Sequence, residues 1–364
     1  MKNSLTIVIP NRNRDLNTVK RSIASIIPQL DDHVKLVIVD YGSPIAYQKE
    51  LDSLMKSFLK VELILCPTQG QLWNKSRCIN MVLKNTSSSH FMVCDMDMIW
   101  CPEFLEKEMS SLSMDASVYF TVGIMTQEES AKEKDFENYD IKFKTDDEAT
   151  GITIFPTEQL KSINGFDEFY HGWGSEDTDA HMRMRNAGYE VRFRESELYF
   201  KHQWHGKAYR SKESKLPYHS HLERINHSYF TLNKTSNKVK ANKQLKWGGK
   251  VCDIDAYSEL NDPKLSLEQY ATEEAVQGII HFLHGTDVKD VIKIEVKEHP
   301  QSKSVKSIIK KATGKKTPRF MSIETVNEVL LEAIIMNHRD CAYNYGYDRI
   351  KEKIHLSINL ISDS

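Results

Sequence analysis

Short runs of aliphatic and β-branched residues alternate with helical spacing through the first hundred positions of the chain. Leu5-Thr6-Ile7-Val8-Ile9 and Val34-Lys35-Leu36-Val37-Ile38-Val39 have the unbroken apolar character of strands covered on both faces. Between them, Leu16, Val19, Ile23, Ile26 and Ile27 recur on one side of a helix predicted over Asp15 to Ile27. Val61 to Leu65 predicts a third strand, Gln71 to Leu83 a helix, and Phe91 to Cys94 a fourth strand. The alternation has the spacing of βαβ units, which predicts an α/β fold with a mostly parallel sheet and flanking helices.

Beyond residue 100 the pattern is more broken. Glu128 to Glu148 is rich in both charges and poor in apolar positions, so a mobile loop is expected. Strand character returns at Gly151 to Pro156, Val191 to Phe193 and Leu198 to Phe200, with helices predicted over Thr157 to Ile163 and Asp177 to Ala187. From Asn233 to Gly249, Lys, Asn and Ser dominate, as in a linker. Leu267 to His284 and Ile323 to Met336 have helical spacing. The expected division is therefore a catalytic domain over 1–240 and a smaller, mainly α region over 241–364.

Three polar clusters fall at carboxyl ends of predicted strands, where parallel sheets bind ligands. They are Asn11-Arg12-Asn13-Arg14, Asp40-Tyr41-Gly42-Ser43 and Asp95-Met96-Asp97. Bulk composition narrows their partners. The 364 residues carry a formal net charge of −2, which gives no global attraction to nucleic acid. Six scattered cysteines without a C-x-x-C pair suit a reducing compartment. The apolar run Leu5 to Ile9 is too short for a signal peptide or a membrane span, so a cytoplasmic protein, peripheral to membranes at most, is expected.

Two acids on alternate positions, Asp95 and Asp97, point the same way from an extended chain and suit a hard divalent cation. Solvated acids at a strand end are the plain alternative, but these two sit inside an apolar run, and buried charges need partners. Gly172-Trp173-Gly174-Ser175 runs directly into Glu176 and Asp177. Acids in a first helical turn also serve as caps. Capping leaves the Gly-Trp-Gly turn unexplained, whereas a flat indole beside a carboxylate suits sugar binding and removal of a hydroxyl proton. His202 and His205 flank Trp204 at a strand end, and the residues alone leave open which of them would complete a cation site. Arg12, Arg14 and Arg77 offer forked donors for a diphosphate or a base edge.

Pro10-Asn11-Arg12-Asn13-Arg14, Arg77 with Asn80, Asp95-Met96-Asp97, and above all Asn164-Gly165-Phe166 through Asp177 resemble the β-1,4-galactosyltransferase group. The amino-terminal half is also similar to family 2 glycosyltransferases, including enzymes of the bacterial chondroitin-polymerase type. The resemblance covers roughly residues 4–206. It implies a GT-A (nucleotide-diphospho-sugar transferase) fold and inverting, metal-dependent transfer from a UDP-sugar. It implies that Pro10, Asn11, Arg12, Arg14 and Arg77, with Asp40, line the nucleotide pocket, and that Asp95 and Met96 lie on the nucleotide sugar. Asp97 and His202, with Asp95 nearby, would hold Mn²⁺ or Mg²⁺. Trp173 and Gly174 would meet sugar, Glu176 would hold the acceptor, and Asp177 would be the general base. The family's motif has an acid where Thr178 stands and a methionine where Tyr199 stands. The position tied to donor choice falls near Glu148 to Thr150, with UDP-galactose and UDP-N-acetylgalactosamine the first expectations. The acceptor would be a glycan, free or lipid-linked.

Between His299 and Glu324 there is no acid, while Lys303, Lys306, Lys310, Lys311, Lys315, Lys316 and Arg319 all occur. Such a segment is either a solvated helix or a peripheral contact with an anionic membrane. Two other functional classes fit the residues less well. A sugar nucleotidyltransferase wants a glycine-rich loop after its first strand, and Pro10 to Arg14 contains no glycine. A non-catalytic carbohydrate-binding protein has no need of Asp95, Asp97, Glu176, Asp177 and His202 together.

Overall fold

A computed structural model describes residues 3–207, 210, 218–244, 246–285, 287–304 and 317–360. The chain divides into two units, the first comprising Met1–Cys66, Trp73–Lys207 and Asn226–Lys250. It opens with β1 (Leu5–Asn11), α1 (Leu16–Ile26), β2 (Val34–Tyr41), α2 (Ile45–Met55), β3 (Val61–Cys66), α3 (Lys75–Asn85) and β4 (His90–Val93). Every residue of β1 is buried, because β1 pairs in parallel with β2 on one side and β4 on the other. That double coverage is why its sequence is a continuous apolar run rather than an alternating one. Helix α1 buries Val19, Ile23 and Ile26, and Asp15 caps it by accepting from the backbone N–H of Asn17 and Thr18.

The chain continues through β5 (Met98–Trp100), α4 (Phe104–Ser111), β6 (Ala116–Phe120), β7 (Val122–Ile124), α5 (Gln127–Ser130) and β8 (Phe143–Lys144). Next come β9 (Thr153–Pro156), α6 (Thr157–Ser162), α7 (Glu176–Asn186), β10 (Glu190–Arg194) and β11 (Phe200–His202). The main sheet has the order β10-β6-β9-β4-β1-β2-β3, with β9 antiparallel to both its neighbours and the other pairs parallel. The expected α/β class, a large and mostly parallel sheet with flanking helices, is borne out.

A second sheet, ordered β5-β11-β7-β8, sets the site. In it β11 runs antiparallel to β5 with His202 opposite Met98, so the residue before β5, Asp97, meets the end of β11. Trp100, Phe104 and Phe200 pack edge to face beneath this junction, with centroids 4.8–5.1 Å apart. Each such pair adds about 1 kcal/mol beyond burial.

The segment expected as a mobile loop, Glu128 to Glu148, is instead built into this unit. Glu129 accepts from Lys132 and Lys134, and Arg21 donates to the carbonyls of Ser130 and Lys132. Some of its charges pair with each other, and Phe136 and Tyr139 anchor it in the core. The expected linker is likewise a strap after α8 (His219–Thr235). Asn164 donates to the Ala241 carbonyl, Asn242 to the Asn164 and Phe166 carbonyls, and the Gly248 N–H to Glu168. Polar composition there serves hydrogen bonding to a turn, not freedom.

The second unit comprises Pro67–Leu72, Ala208–Ile225 and Val251–Ser364, so the division is not the single cut expected at 240. Its described residues are not mainly helical. After α9 (Ile254–Ser258), β12 (Leu265–Tyr270) lies where a helix was expected from Leu267, and α10 (Glu273–Gly285) follows. Then come β13 (Val291–Lys297), α11 (Ile323–Ala333), β14 (Tyr343–Asp348) and β15 (Lys353–Asn359), in a sheet ordered β12-β13-β15-β14. Val291-Ile292-Lys293-Ile294-Glu295-Val296-Lys297 has the period-two burial of a sheet with one covered face. Of the basic stretch, positions 305–316 lie outside the described residues. Lys303 pairs with Glu298 and Glu352, and Arg319 with Glu273 and Glu274. No helix among the described residues is long and apolar enough to cross a membrane.

Candidate active site

The Asn164-to-Asp177 stretch is a chain of forced turns. Asn164 (φ 62°), Gly165 (φ 64°), Gly172 (φ 74°), Gly174 (φ 108°) and Ser175 (φ 74°) are all left-handed. A side chain is rare in that region, and Ser175 tolerates it directly before α7. At Gly165 the turn permits nothing larger, since a Cβ would stand 2.3 Å from Asn80 Oδ1. That oxygen accepts from the Phe166 N–H, and the Asn80 amide donates to the Phe166 carbonyl and to Glu168. Asn226 donates to the carbonyls of His171 and Trp173, leaving the Trp173 indole 37% exposed at the turn's tip.

Asp97 is buried, and three cationic or imidazole groups converge on it. Arg14 Nη2 lies 3.0 Å away, His205 Nε2 3.1 Å and His202 Nε2 3.6 Å. Burial pushes the Asp97 carboxyl up, but His202, His205 and Arg14 outweigh it and hold the group well below the usual range. Burial keeps the His202 imidazole below its ordinary value, which favours the neutral form that ligates metals. One ligand atom each from Asp97, His202 and His205 lies within 4.8 Å of the others. Asp97 Oδ1 and His202 Nδ1 are buried without a hydrogen-bond partner. Orphaned polar atoms of this kind, in a mixed oxygen and nitrogen set, fit a divalent metal ion. Both histidines thus stand at the site that the sequence left open between them.

The two acids of Asp95-Met96-Asp97 part company. The segment is a turn rather than extended chain, and Asp95 meets Lys75 Nζ at 3.0 Å instead of joining the triad. Lys75, the first residue of α3, also lies 2.9 Å from Asp177 Oδ2 and 4.0 Å from Glu176 Oε1. Gly151 lies against the convergence. A Cβ there would stand 3.2 Å from Asp95 Oδ2 and 3.7 Å from Asp177 Oδ2.

One ammonium faces three carboxylates, with Lys75, Glu176 and Asp177 largely withdrawn from water and Asp95 at the open side. Burial opposes the charge on Lys75, yet Asp177, Asp95 and Glu176 hold its pKa well above the ordinary lysine value. Burial pushes the Asp177 carboxyl up to about 7; Lys75 opposes the rise, while Glu176 and Asp95 add to it. A carboxylate with that value is matched to taking a proton near neutrality.

Other expected site residues fall less simply. Pro10, Asn11, Arg12 and Arg14 end β1 and begin the following loop, as expected. Asp40 is buried and accepts from Asn11, Ser43 and Gln48. Arg77, expected at the nucleotide, is buried against Glu168 with Nε 3.1 Å from Oε2. The Met96 side chain lies in the apolar core. Asp179, two positions past Asp177, pairs at 2.6 Å with Arg183, which donates to the Ile163 and Gly165 carbonyls. Lys75, Glu168 and Arg183 carried no sequence signal of their own. The nearest hint was Lys75 directly after Asn74, whose side chain caps α3 by accepting from the Arg77 N–H.

Comparison with known proteins finds a likeness for one segment of this geometry. Residues 133–205, spanning the loop, the turns, α7 and both histidines, match the N-terminal domain of galactosyltransferase. That likeness covers the candidate site segment and not the rest of the chain. The resemblance read in the sequence is borne out there. The curated relatives it matches include β-1,4-galactosyltransferase 5 of Homo sapiens and of Sus scrofa, each 46% identical over 41 residues. That match spans 11% of this chain and 11% of each relative. Among solved structures, S. aureus TarS 1–349 is 15% identical over 64% of this chain and 68% of its own, at a TM-score of 0.43. Mannosyltransferase PcManGT from Pyrobaculum calidifontis, in complex with GDP-Man and Mn²⁺, is 11% identical over 93% and 87%, at 0.44. Likenesses that weak carry no argument about donor, metal or reaction.

Proposed function

We propose that the chain is an inverting, metal-dependent glycosyltransferase of the GT-A type. It moves a hexose or N-acetylhexosamine from a UDP-sugar to a hydroxyl of a free or lipid-linked glycan, in the synthesis of a surface polysaccharide. The observation that carries the reading is Lys75, which joins Asp95, two residues from the Asp97–His202–His205 cluster, to Asp177.

In this reading Asp97, His202 and His205 would hold Mn²⁺ or Mg²⁺, which supplies charge neutralisation at the donor diphosphate. Arg14, beside Asp97, and the end of β1 face the nucleotide side. Trp173 offers the acceptor sugar a flat apolar face, with Glu176 holding a hydroxyl. Asp177 accepts the proton of the attacking hydroxyl as its oxygen bonds to the anomeric carbon. The bond from that carbon to the diphosphate oxygen breaks, and the nucleoside diphosphate leaves with the electron pair. Attack opposite the leaving group inverts the anomeric centre, so no enzyme nucleophile is needed. Lys75 stabilises the charged form of Asp177 before the proton moves.

Calorimetric titration with a panel of UDP-sugars, each with Mn²⁺ and with EDTA, tests the proposal. Metal-dependent binding of one UDP-sugar is expected, and Asp177→Asn should retain it while losing transfer. If the folded protein binds no uridine nucleotide, the transferase reading is wrong and a carbohydrate-binding role takes its place.

A further inference from the structure

A groove of about 760 Å³ runs along the exposed face of α1, outside the cluster around Asp97. Asn17, Lys20 and Arg21 of α1 line it together with Glu133 and with Trp204, a residue 44% exposed. The walls are fixed in place. Arg21 donates to the Ser130 and Lys132 carbonyls and to Tyr139 Oη, and Ser130 Oγ accepts from the Trp204 N–H at 2.7 Å. Gln203 is tied to α1 by a bond to the Thr18 carbonyl at 3.2 Å. An exposed tryptophan on a rigid backbone loses little entropy when something stacks on it.

We infer that this groove is a saccharide subsite, holding a glycan unit away from the reacting hydroxyl. The inference rests on the transferase reading for the source of the glycan. A pyranose has an apolar C–H face, which an indole covers, and a rim of hydroxyls that both donate and accept. The groove supplies that match with the acid Glu133, the base Lys20 and the Asn17 amide, while the acid Asp15 and the base Arg21 line it with their bonds to the walls already made. Two acids against two bases give no net pull on a phosphate or an anionic lipid surface. Trp204 is covalently next to His205, so their Cα atoms lie about 3.8 Å apart. The groove and the Asp97–His202–His205 cluster are thus held by one short chain segment.

The test uses the full chain labelled with 5-fluorotryptophan, in which ¹⁹F spectra show the five tryptophans and Trp204→Phe assigns one signal. Probes are chitohexaose, a chondroitin hexasaccharide, and UDP with Mn²⁺. At least one hexasaccharide should shift the Trp204 signal saturably. Trp204→Ala should weaken that binding by at least about tenfold, roughly the loss of one stacking face. Ala24→Trp, which fills the groove from the exposed side of α1, should weaken it similarly. Neither change should alter UDP–Mn²⁺ affinity. If neither hexasaccharide moves the Trp204 signal, or both variants bind as the parent does, the subsite is refuted. Hexasaccharide binding at Trp204 without UDP–Mn²⁺ binding would instead sink the transferase reading and leave the subsite standing.

Discussion

Replacing Lys75 with Met removes the one ammonium among Asp95, Glu176 and Asp177 while keeping the side chain's length. Lys75 Nζ lies 2.9 Å from Asp177 Oδ2, with side chains only 12% and 17% exposed. At that separation a unit charge pair is worth about 6 kcal/mol at an effective dielectric of about 20, and about 1.4 kcal/mol if water floods the space. Each 1.36 kcal/mol moves a pKa by about one unit. The sign is fixed by the charges: the ammonium favours the ionised carboxylate, so its loss raises the Asp177 pKa. From about 7 the midpoint should climb by at least about one pH unit and at most about four. Carbon-13 NMR of aspartate labelled at the carboxyl carbon, with Asp177→Asn to assign the signal, reads this without any substrate. The pH profile of donor hydrolysis should move by the same amount, its activity rising at higher pH. Lys75→Arg keeps the charge and should stay near 7. An unmoved or lowered midpoint in Lys75→Met would refute the electrostatic account of Asp177.

The neighbouring acid should act the other way, so Glu176→Gln should lower the Asp177 midpoint in the same NMR titration. The raised Asp177 pKa, from 3.8 to about 7, means that the native state binds more protons than the unfolded chain between those values. Stability from this group is therefore lost as pH rises through that window, by up to about 4 kcal/mol. Asp177→Asn should accordingly abolish transfer yet melt no lower than the parent at pH 8, as calorimetry would show. His202→Ala and His205→Ala should each weaken Mn²⁺ binding by at least about tenfold in calorimetric titration, about the 1.4 kcal/mol of a modest ligand. Gly165→Ala meets Asn80 Oδ1 and a φ of 64°, so chemical denaturation should show a loss of at least about 1 kcal/mol.

The first sheet was legible because buried parallel strands write themselves as apolar runs, and β1 to β4 fall within a few residues of expectation. The site was legible where chemistry sits on rare residues in forced turns, as from Gly172 to Asp177. Lys75 was not, since a lysine opening a helix looks solvated until the fold brings Asp95 and Asp177 to it. The partner of Arg77 was hidden for the same reason: Glu168 lies 91 positions away in the chain. The strap and the second unit were missed through composition and period. Polar residues that bond a turn resemble those of a linker, and the short alternation of β13 stands between two stretches with helical spacing.

The strap changes what can be removed from this protein. Glu168, at the centre of the turns that lead to Asp177, is held by Asn80 from upstream and by the Gly248 N–H from downstream. Asn242 ties the Asn164 and Phe166 carbonyls from the same downstream stretch. A gene shortened at codon 240, the boundary that composition alone invites, would keep every candidate catalytic side chain and lose the clasp that shapes their loop. The segment shared with galactosyltransferases is for the same reason not a portable cassette. Grafted alone into another sheet, it would arrive without the residues that tell it how to turn.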